Sequence, residues 1–192
     1  YTKNKQKLKI IKNNLNEKNK LFYLSINSYL NHDIKDSIKN AIKFQKLNKN
    51  NPFIDEMIGS LYYIEGNFKK ASTNFNKALE KFDKLNILSP PNIKLSLAKS
   101  LIEINDKTSL RKSLLILEEL IPIKFGSIYF WKLVGITANK LGDKPASMVA
   151  IAEEKILKQQ YKKAKLFASK ALKFKNIKTL YKMRALDIIN FK

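Results

Sequence analysis

The side chains able to do chemistry in this sequence are few, and their spacing argues against catalysis. His32 is the single histidine, with Asp33 directly after it. A Ser-His-Asp triad needs an imidazole held by a carboxylate on one side and facing a nucleophile on the other. Nothing near His32 activates a nucleophile, and Asn31-His32-Asp33 has the composition of a solvated turn. The carboxylates come as adjacent pairs, Asp55-Glu56, Glu118-Glu119 and Glu153-Glu154. Neighbours on a helix point about 100° apart, so no pair makes a facing acid/base couple, and solvated faces with lysine pairing account for them. Cysteine is absent, which excludes disulfides and thiolate metal sites. Gly59, Gly66, Gly135 and Gly142 are spaced as helix-packing and turn residues and form no phosphate-cradling loop. The sequence assigns no catalytic, cofactor-binding or metal-ligating residue to this chain.

Charge is the next feature that could carry function. Against 38 Lys and Arg stand 16 Asp and Glu, a net charge of +22 over 192 residues. A nucleic-acid surface draws on arginine for bidentate contacts to bases and phosphates, and Arg111 and Arg184 are the only arginines. Lys, Asn and Ile are all abundant and all have AT-rich codons, so base composition explains the lysines better than a selected polyanion surface. Nucleic acid is therefore disfavoured as a partner. No run of about eighteen uncharged apolar residues offers a membrane span. The chain opens on Tyr1, in a Lys/Asn-rich stretch without the apolar core of a signal peptide. This reads as a piece of a longer protein whose N-terminal part precedes Tyr1.

The elements that must position any binding residues are helices. Hydrophobic residues make up 44% of the chain, while glycine and proline number five each, too few for a turn-rich β architecture. Repeats decide the fold. From Pro52 the sequence carries Gly59, Tyr62, Gly66, Ala71, Phe75 and Ala78 at the offsets of a tetratricopeptide (TPR) unit of about 34 residues. Gly59 and Ala71 are small where two helices cross, Tyr62 and Phe75 fill the space beside the crossing, and Ala78 admits the next repeat. Gly66-Asn67 makes the turn. One period earlier, Leu21, Leu24, Ser25 and Ser28 take the first-helix positions and Ser37, Ala41 and Phe44 the second. Further on, Pro90-Pro91 separates helices, and Trp131 and Gly135 restart the first-helix spacing. Ala164, Ala168 and Ala171 share a face of a later helix, and Leu180, Met183, Leu186 and Ile189 mark a last helix over about 177–190. The loop around Asn105-Asp106-Lys107-Thr108 reads as a few residues longer than the standard turn.

The expectation is an all-α, TPR-type helical-hairpin solenoid, a right-handed superhelix of antiparallel helix pairs. Its repeats span about 18–51, 52–85, 91–126, 128–158 and 159–192, the last with a capping helix. Residues 1–17 read as a helix or linker from an upstream domain, with Leu8, Ile11 and Leu15 on one side. Gly59, Tyr62, Ala71, Phe75, Ala78, Trp131, Gly135, Ala164, Ala168 and Ala171 are the repeat-packing positions. On the inner face of the first helices, offset from packing, fall Phe22, Ile26, Tyr29, Phe53 and Tyr63, with Glu56, Lys99, Lys132 and Asn139 at equivalent offsets. Apolar anchors mixed with lysines suit an extended or helical peptide whose carboxylates pair with the lysines.

Beyond the generic repeat, one order of features resembles a known family. It runs through Phe130-Trp131-Lys132-Leu133-Val134-Gly135-Ile136, Leu141-Gly142-Asp143 and Ala150-Ile151-Ala152-Glu153-Glu154. It continues with Tyr161-Lys162-Lys163-Ala164-Lys165, Phe167-Ala168, Lys170-Ala171-Leu172 and Arg184-Ala185-Leu186-Asp187-Ile188-Ile189. Together with the extended loop near Asp106, this resembles the C-terminal TPR region of periplasmic zinc metalloproteases of the beta-barrel assembly-enhancing protease type, especially alphaproteobacterial ones. The resemblance implies a protease domain with an HExxH zinc motif before Tyr1, a periplasmic location and a part in outer-membrane protein quality control. Its implied partners are protein segments, the protease domain itself and the outer-membrane assembly machinery. Zinc belongs to that upstream domain, since no HExxH occurs here. The alternatives are a free-standing TPR adaptor with no enzyme attached, which would be cytoplasmic, and a basic polyanion- or membrane-surface-binding helical protein.

Overall fold

A computed structural model describes residues 16–123 and 126–191 of the chain. The expected N-terminal helix, with Leu8, Ile11 and Leu15, lies outside them. Ten helices make up the described part: α1 Glu17–Leu30, α2 Ile34–Lys46, α3 Pro52–Ile64, α4 Phe68–Lys84, α5 Pro91–Ile104, α6 Lys107–Leu120, α7 Ile128–Lys140, α8 Lys144–Leu157, α9 Tyr161–Leu172 and α10 Thr179–Asn190. No strand occurs among the described residues. None of the described helices is long and apolar enough to cross a membrane. The chain is all-helical and of TPR hairpin type.

One turn chemistry recurs between helices. A residue in the left-handed region ends one helix, and the next residue caps the following one. His32 (φ 62°) precedes Asp33, Gly66 (φ 82°) precedes Asn67, Asn105 (φ 62°) precedes Asp106, and Gly142 (φ 76°) precedes Asp143. In each case the Asp or Asn side chain accepts from a backbone N–H three residues on, as from Ser109 to Asp106 at 2.8 Å. The left-handed residue lets backbone N–H groups fold back onto the last carbonyls, as Asn67 N–H does on Tyr62 O at 2.9 Å. Helix end and helix start are satisfied within about one turn, so the hairpins are tight.

This chemistry corrects the expected long loop near Asp106. α5 runs to Ile104 and α6 starts at Lys107, leaving only Asn105-Asp106 between them. Lys107 and Thr108 are already helical because the Asp106 cap satisfies the N–H of Ser109 and its second carboxylate oxygen accepts from the Ser109 hydroxyl at 2.7 Å.

The chain divides into two compact units, residues 1–100 and 101–192, with the division inside α5. In the first, α1 packs on α2, α2 on α3 and α3 on α4. Ile38, Ala41, Ile54, Ile58 and Leu61 form a buried cluster, with Phe44 and Tyr62 partly buried against it. Where α1 and α2 cross, Ser25 and Ser37 are fully buried and satisfy one another: each hydroxyl donates to the other's carbonyl, at 3.0 and 2.8 Å. These serines occupy the small-residue positions of the crossing without an orphaned hydroxyl. In the second hairpin Ala71, Phe75 and Ala78 are buried, and a Cβ on Gly59 would stand 2.9 Å from two ring atoms of Phe75. Gly59 therefore makes room for an aromatic face.

In the second unit α8 packs on both α7 and α9, and α10 packs on α9 and α8. The face of α9 made by Ala164, Ala168 and Ala171 is fully buried, so the backbones approach closely there. Phe130, Trp131 and Val134 of α7 are buried in the core of this unit. α10 is also tied to earlier helices by polar contacts. Lys178, just before it, binds Glu118 of α6 at 2.8 Å, and Arg184 binds Glu153 of α8 at 2.6 Å with its guanidinium over the Trp131 ring.

Candidate peptide-binding grooves

First helices present the exposed side chains that could hold a partner. In the first unit, α1 and α3 lie side by side with a shallow cavity of about 170 Å³ between them. Ile26 and Tyr29 of α1 line one wall, and Met57, Ser60 and Ile64 of α3 the other. Ile26, Tyr29 and Ile64 are exposed. The positions follow helical spacing: i and i+3 on α1; i, i+3 and i+7 on α3. On the opposite flank of α3, Tyr63 carries the Lys99 ammonium 5.0 Å from its ring centroid and meets Phe68 edge-on at 5.3 Å. Glu56 is partly buried on this helix, and burial raises its carboxyl above the ordinary value.

Phe22 and Phe53, like Tyr63, meet a ring of the second helix of their own hairpin. The Phe22 ring lies 5.3 Å from that of Phe44 in α2, and the Phe53 ring 5.2 Å from that of Phe82 in α4, edge-on. Both keep an exposed edge while resting on the second helix of their own hairpin, so part of each ring is taken up by the fold.

In the second unit a groove of about 340 Å³ runs along α7 and α8. Lys132, Ile136 and Asn139 of α7 face Ser147, Ile151 and Glu154 of α8, over a floor that includes Trp131, Gly135 and Ala150. The carboxyl of Glu154 is held below its ordinary value by its hydrogen bond from Lys158, with Lys155 and Lys132 contributing charge. This groove is polar at the rim where the α1–α3 cavity is apolar.

The nine groove positions read from sequence are thus sorted into distinct places. Ile26 and Tyr29 are brought together, as are Tyr63 and Lys99, and Lys132 and Asn139. The sequence reading missed Met57, Ser60, Ile64, Ile136, Ile151 and Glu154. Counting i+3, i+4 and i+7 along both flanks of each first helix would have found Met57, Ser60 and Ile64.

The packing residues divide as follows. Ala71, Ala78, Ala164, Ala168 and Ala171 are fully buried, as are Phe75 and Trp131 very nearly, while Tyr62 and Gly135 are half-buried. Two carboxylates expected on solvated faces are interior. Asp55 is fully buried, bound to Lys81 and accepting from Gln45 Nε2 at 2.6 Å. Glu153 is buried against Arg184; burial raises its carboxyl, an effect that the hydrogen bond and charge of Arg184 oppose. Both pairs join neighbouring helices, which is why the side chains turn inward. Tyr181 is buried too, with its hydroxyl lacking a hydrogen bond of ordinary geometry; burial and the nearby Glu118 carboxylate push its pKa far up. His32 sits exposed in its turn. Among the described residues, no group of three or more His, Asp or Glu is placed to hold a metal ion.

These hairpins define a TPR-type helical-repeat protein, and solved structures of the same fold exist. The chain is similar to MamA 41-end from Desulfovibrio magneticus RS-1, with 15% identity and a TM-score of 0.66, covering 90% of this chain and 96% of that one. It is similar to the MamA RS-1 ArsTM double mutant at 15% identity and TM-score 0.66, over 90% and 95% of the two chains. A further crystal structure of MamA protein aligns at 14% identity and TM-score 0.65, over 89% and 91%. At such identities the likeness is one of fold. No protein-family model matches the chain, and no curated protein matches it.

Proposed function

We propose that this chain is a protein-interaction module that holds polypeptide segments against the exposed faces of its first helices. The observation that carries the reading is the α1–α3 cavity, where Ile26, Tyr29, Met57 and Ile64 come together from two helices and stay open to solvent. Apolar side chains in register on neighbouring helices offer anchors for a partner's side chains. The test is selection of displayed peptides against the whole chain, followed by affinity measurement with Ile26→Glu and Ile64→Glu variants. Peptides selected on the wild type should lose at least about tenfold in affinity on each variant, since each buries a charge where an anchor sat. Selected peptides that bind both variants unchanged would refute the groove.

The finer reading places this module in a cell-envelope zinc metalloprotease of outer-membrane quality control, with periplasmic location and zinc in an upstream domain. The order of residues from Phe130 to Ile189 supports it. Translation upstream of Tyr1 tests it: an HExxH motif in the same reading frame is expected, and a start codon at the beginning of this chain sinks it in favour of a free-standing adaptor. MamA structures share the hairpin fold without adding support to a protease partner.

A further inference from the structure

α6 opens on two cations that make no ion pair among the described residues, with the carboxylate of the capping residue Asp106 turned to the backbone and hydroxyl of Ser109. Lys107 and Arg111 stand four residues apart on one face of the helix, whose first turn holds no acidic residue. Like charges at that spacing repel, and positive charge near a helix N-terminus runs against the macrodipole. Among the described residues neither side chain makes an ion pair or hydrogen bond. The contrast with Arg184 is instructive: the other arginine is bound to Glu153 and lies over Trp131.

Both cations border a cavity of about 360 Å³ in the second unit. Leu114 and Leu115 of α6 and Leu141 of the α7–α8 turn give it apolar walls, and Lys178 stands on its rim. Lys178 is already engaged by both Glu118 oxygens, at 2.8 and 3.0 Å. Asp143 also lines the cavity, with one carboxylate oxygen accepting from the Ala146 N–H at 3.1 Å. The excess of positive charge therefore sits at the Lys107–Arg111 end, while leucines supply the opposite character. Ligand cavities run from about 300 to 1,000 Å³, so this one holds a single residue-sized group.

We propose that this cavity binds a short aliphatic carboxylate. Its carboxylate sits in the Arg111 guanidinium fork, beside Lys107, and its aliphatic part lies on Leu114, Leu115 and Leu141. Arginine presents paired donors matched to a carboxylate. Phosphate fits less well, because leucine walls leave its outer oxygens without donors. The same chemistry is available from a free acid or from the C-terminal residue of a polypeptide. The site is separate from the α1–α3 and α7–α8 grooves, and the proposal does not rest on their holding peptides.

Titration of the whole chain, carrying ¹³C-methyl leucine, with 4-methylpentanoate tests the proposal by NMR. Saturable shifts of the Leu115 and Leu141 methyls are expected, at about millimolar affinity. Arg111→Gln should weaken binding at least about tenfold and Arg111→Lys less, because a charge without the fork remains. Arg111 is exposed, so both variants should keep the wild-type methyl dispersion. A titration with 4-methylpentanamide should give no saturable shift. An acetylated tripeptide ending in leucine separates the sources: binding tighter than the free acid assigns the site to a chain terminus, and weaker binding assigns it to the small acid. The proposal is overturned if 4-methylpentanoate fails to saturate, if the amide or inorganic phosphate binds equally well, or if Arg111→Gln leaves affinity unchanged.

Discussion

Gly59 and Gly135 are each the eighth residue of a thirteen-residue first helix, and each stands seven residues before a left-handed glycine. By sequence they are one position, and alanine should act alike at both. The structure separates them. A Cβ at Gly135 would meet the Ala150 methyl at 3.4 Å, the near edge of ordinary contact. A Cβ at Gly59 would meet the Phe75 ring at 2.9, 2.9 and 3.2 Å. Good carbon–carbon contact begins near 3.5 Å, so the ring would have to retreat by about 0.6 Å. Phe75 is only 1% exposed, and a ring has no flexible end to swing aside.

The magnitudes follow from two opposed terms. Replacing glycine by alanine inside a helix gains about 0.8–1.0 kcal/mol. Overpacking a filled core costs about 1–3 kcal/mol. Gly135→Ala should therefore stabilise by up to about 1 kcal/mol, and Gly59→Ala should destabilise by about 0–2 kcal/mol. Urea unfolding followed by far-UV circular dichroism measures both, and Trp131, the single tryptophan, reports fluorescence one helical turn from Gly135. The midpoints should move in opposite directions at unchanged m-value. A Gly59→Ala variant more stable than wild type, or one indistinguishable from Gly135→Ala, would refute the argument from the Phe75 contact.

Other perturbations test the interior polar groups. Lys81→Met should destabilise by about 3–5 kcal/mol because it leaves the buried Asp55 carboxylate with Gln45 alone, whereas Asp55→Leu combined with Lys81→Met should recover most of that loss, both read by urea midpoint. Gly142→Ala, at φ 76°, should cost about 1 kcal/mol by the same measurement. Glu153 predicts a pH dependence. Its carboxyl is raised in the fold above the ordinary 4.5, so the folded chain binds that proton more tightly than the unfolded one, and its contribution falls as pH rises through the interval between the two values. The stability of Glu153→Gln relative to wild type should therefore improve from about pH 4 to about pH 7. A difference that stays flat or runs the other way contradicts the assignment.

The hairpin spacing was legible because it depends on small residues and helix ends, which local sequence dictates. Gly59, Ala71 and Ala78 mark crossings by size alone, and the pair of a left-handed residue followed by Asp or Asn marks the turns. The same signature is present at Asn105-Asp106, where asparagine takes the place of glycine and so masks a two-residue turn as a longer loop. What one helix cannot report is its neighbour. Asp55 looks like half of a solvated acidic pair until Lys81, 26 residues away, meets it. Phe22 and Phe53 look free until Phe44 and Phe82 are placed beside them. Met57 and Ile64 become groove residues only when α1 supplies the other wall.

Ion pairs within the fold also bear on the charge. The sequence has 16 carboxylate side chains against 38 bases, and Asp55, Glu118, Glu153 and Glu154 are already bound to lysine or arginine within the fold. Bases still exceed carboxylates by a net charge of +22, so long-range attraction should speed encounter with acidic segments without selecting among them. Selection must come from contacts the lysines do not make, such as the Ile26–Ile64 cavity. The two contributions respond differently to salt. Between about 50 mM and 500 mM ionic strength the association rate of a selected acidic peptide should fall steeply. Its dissociation rate should change little if apolar anchors hold it. Stopped-flow measurement separates these rates, and a dissociation rate that rises in parallel with the loss of association would show that charge alone holds the peptide.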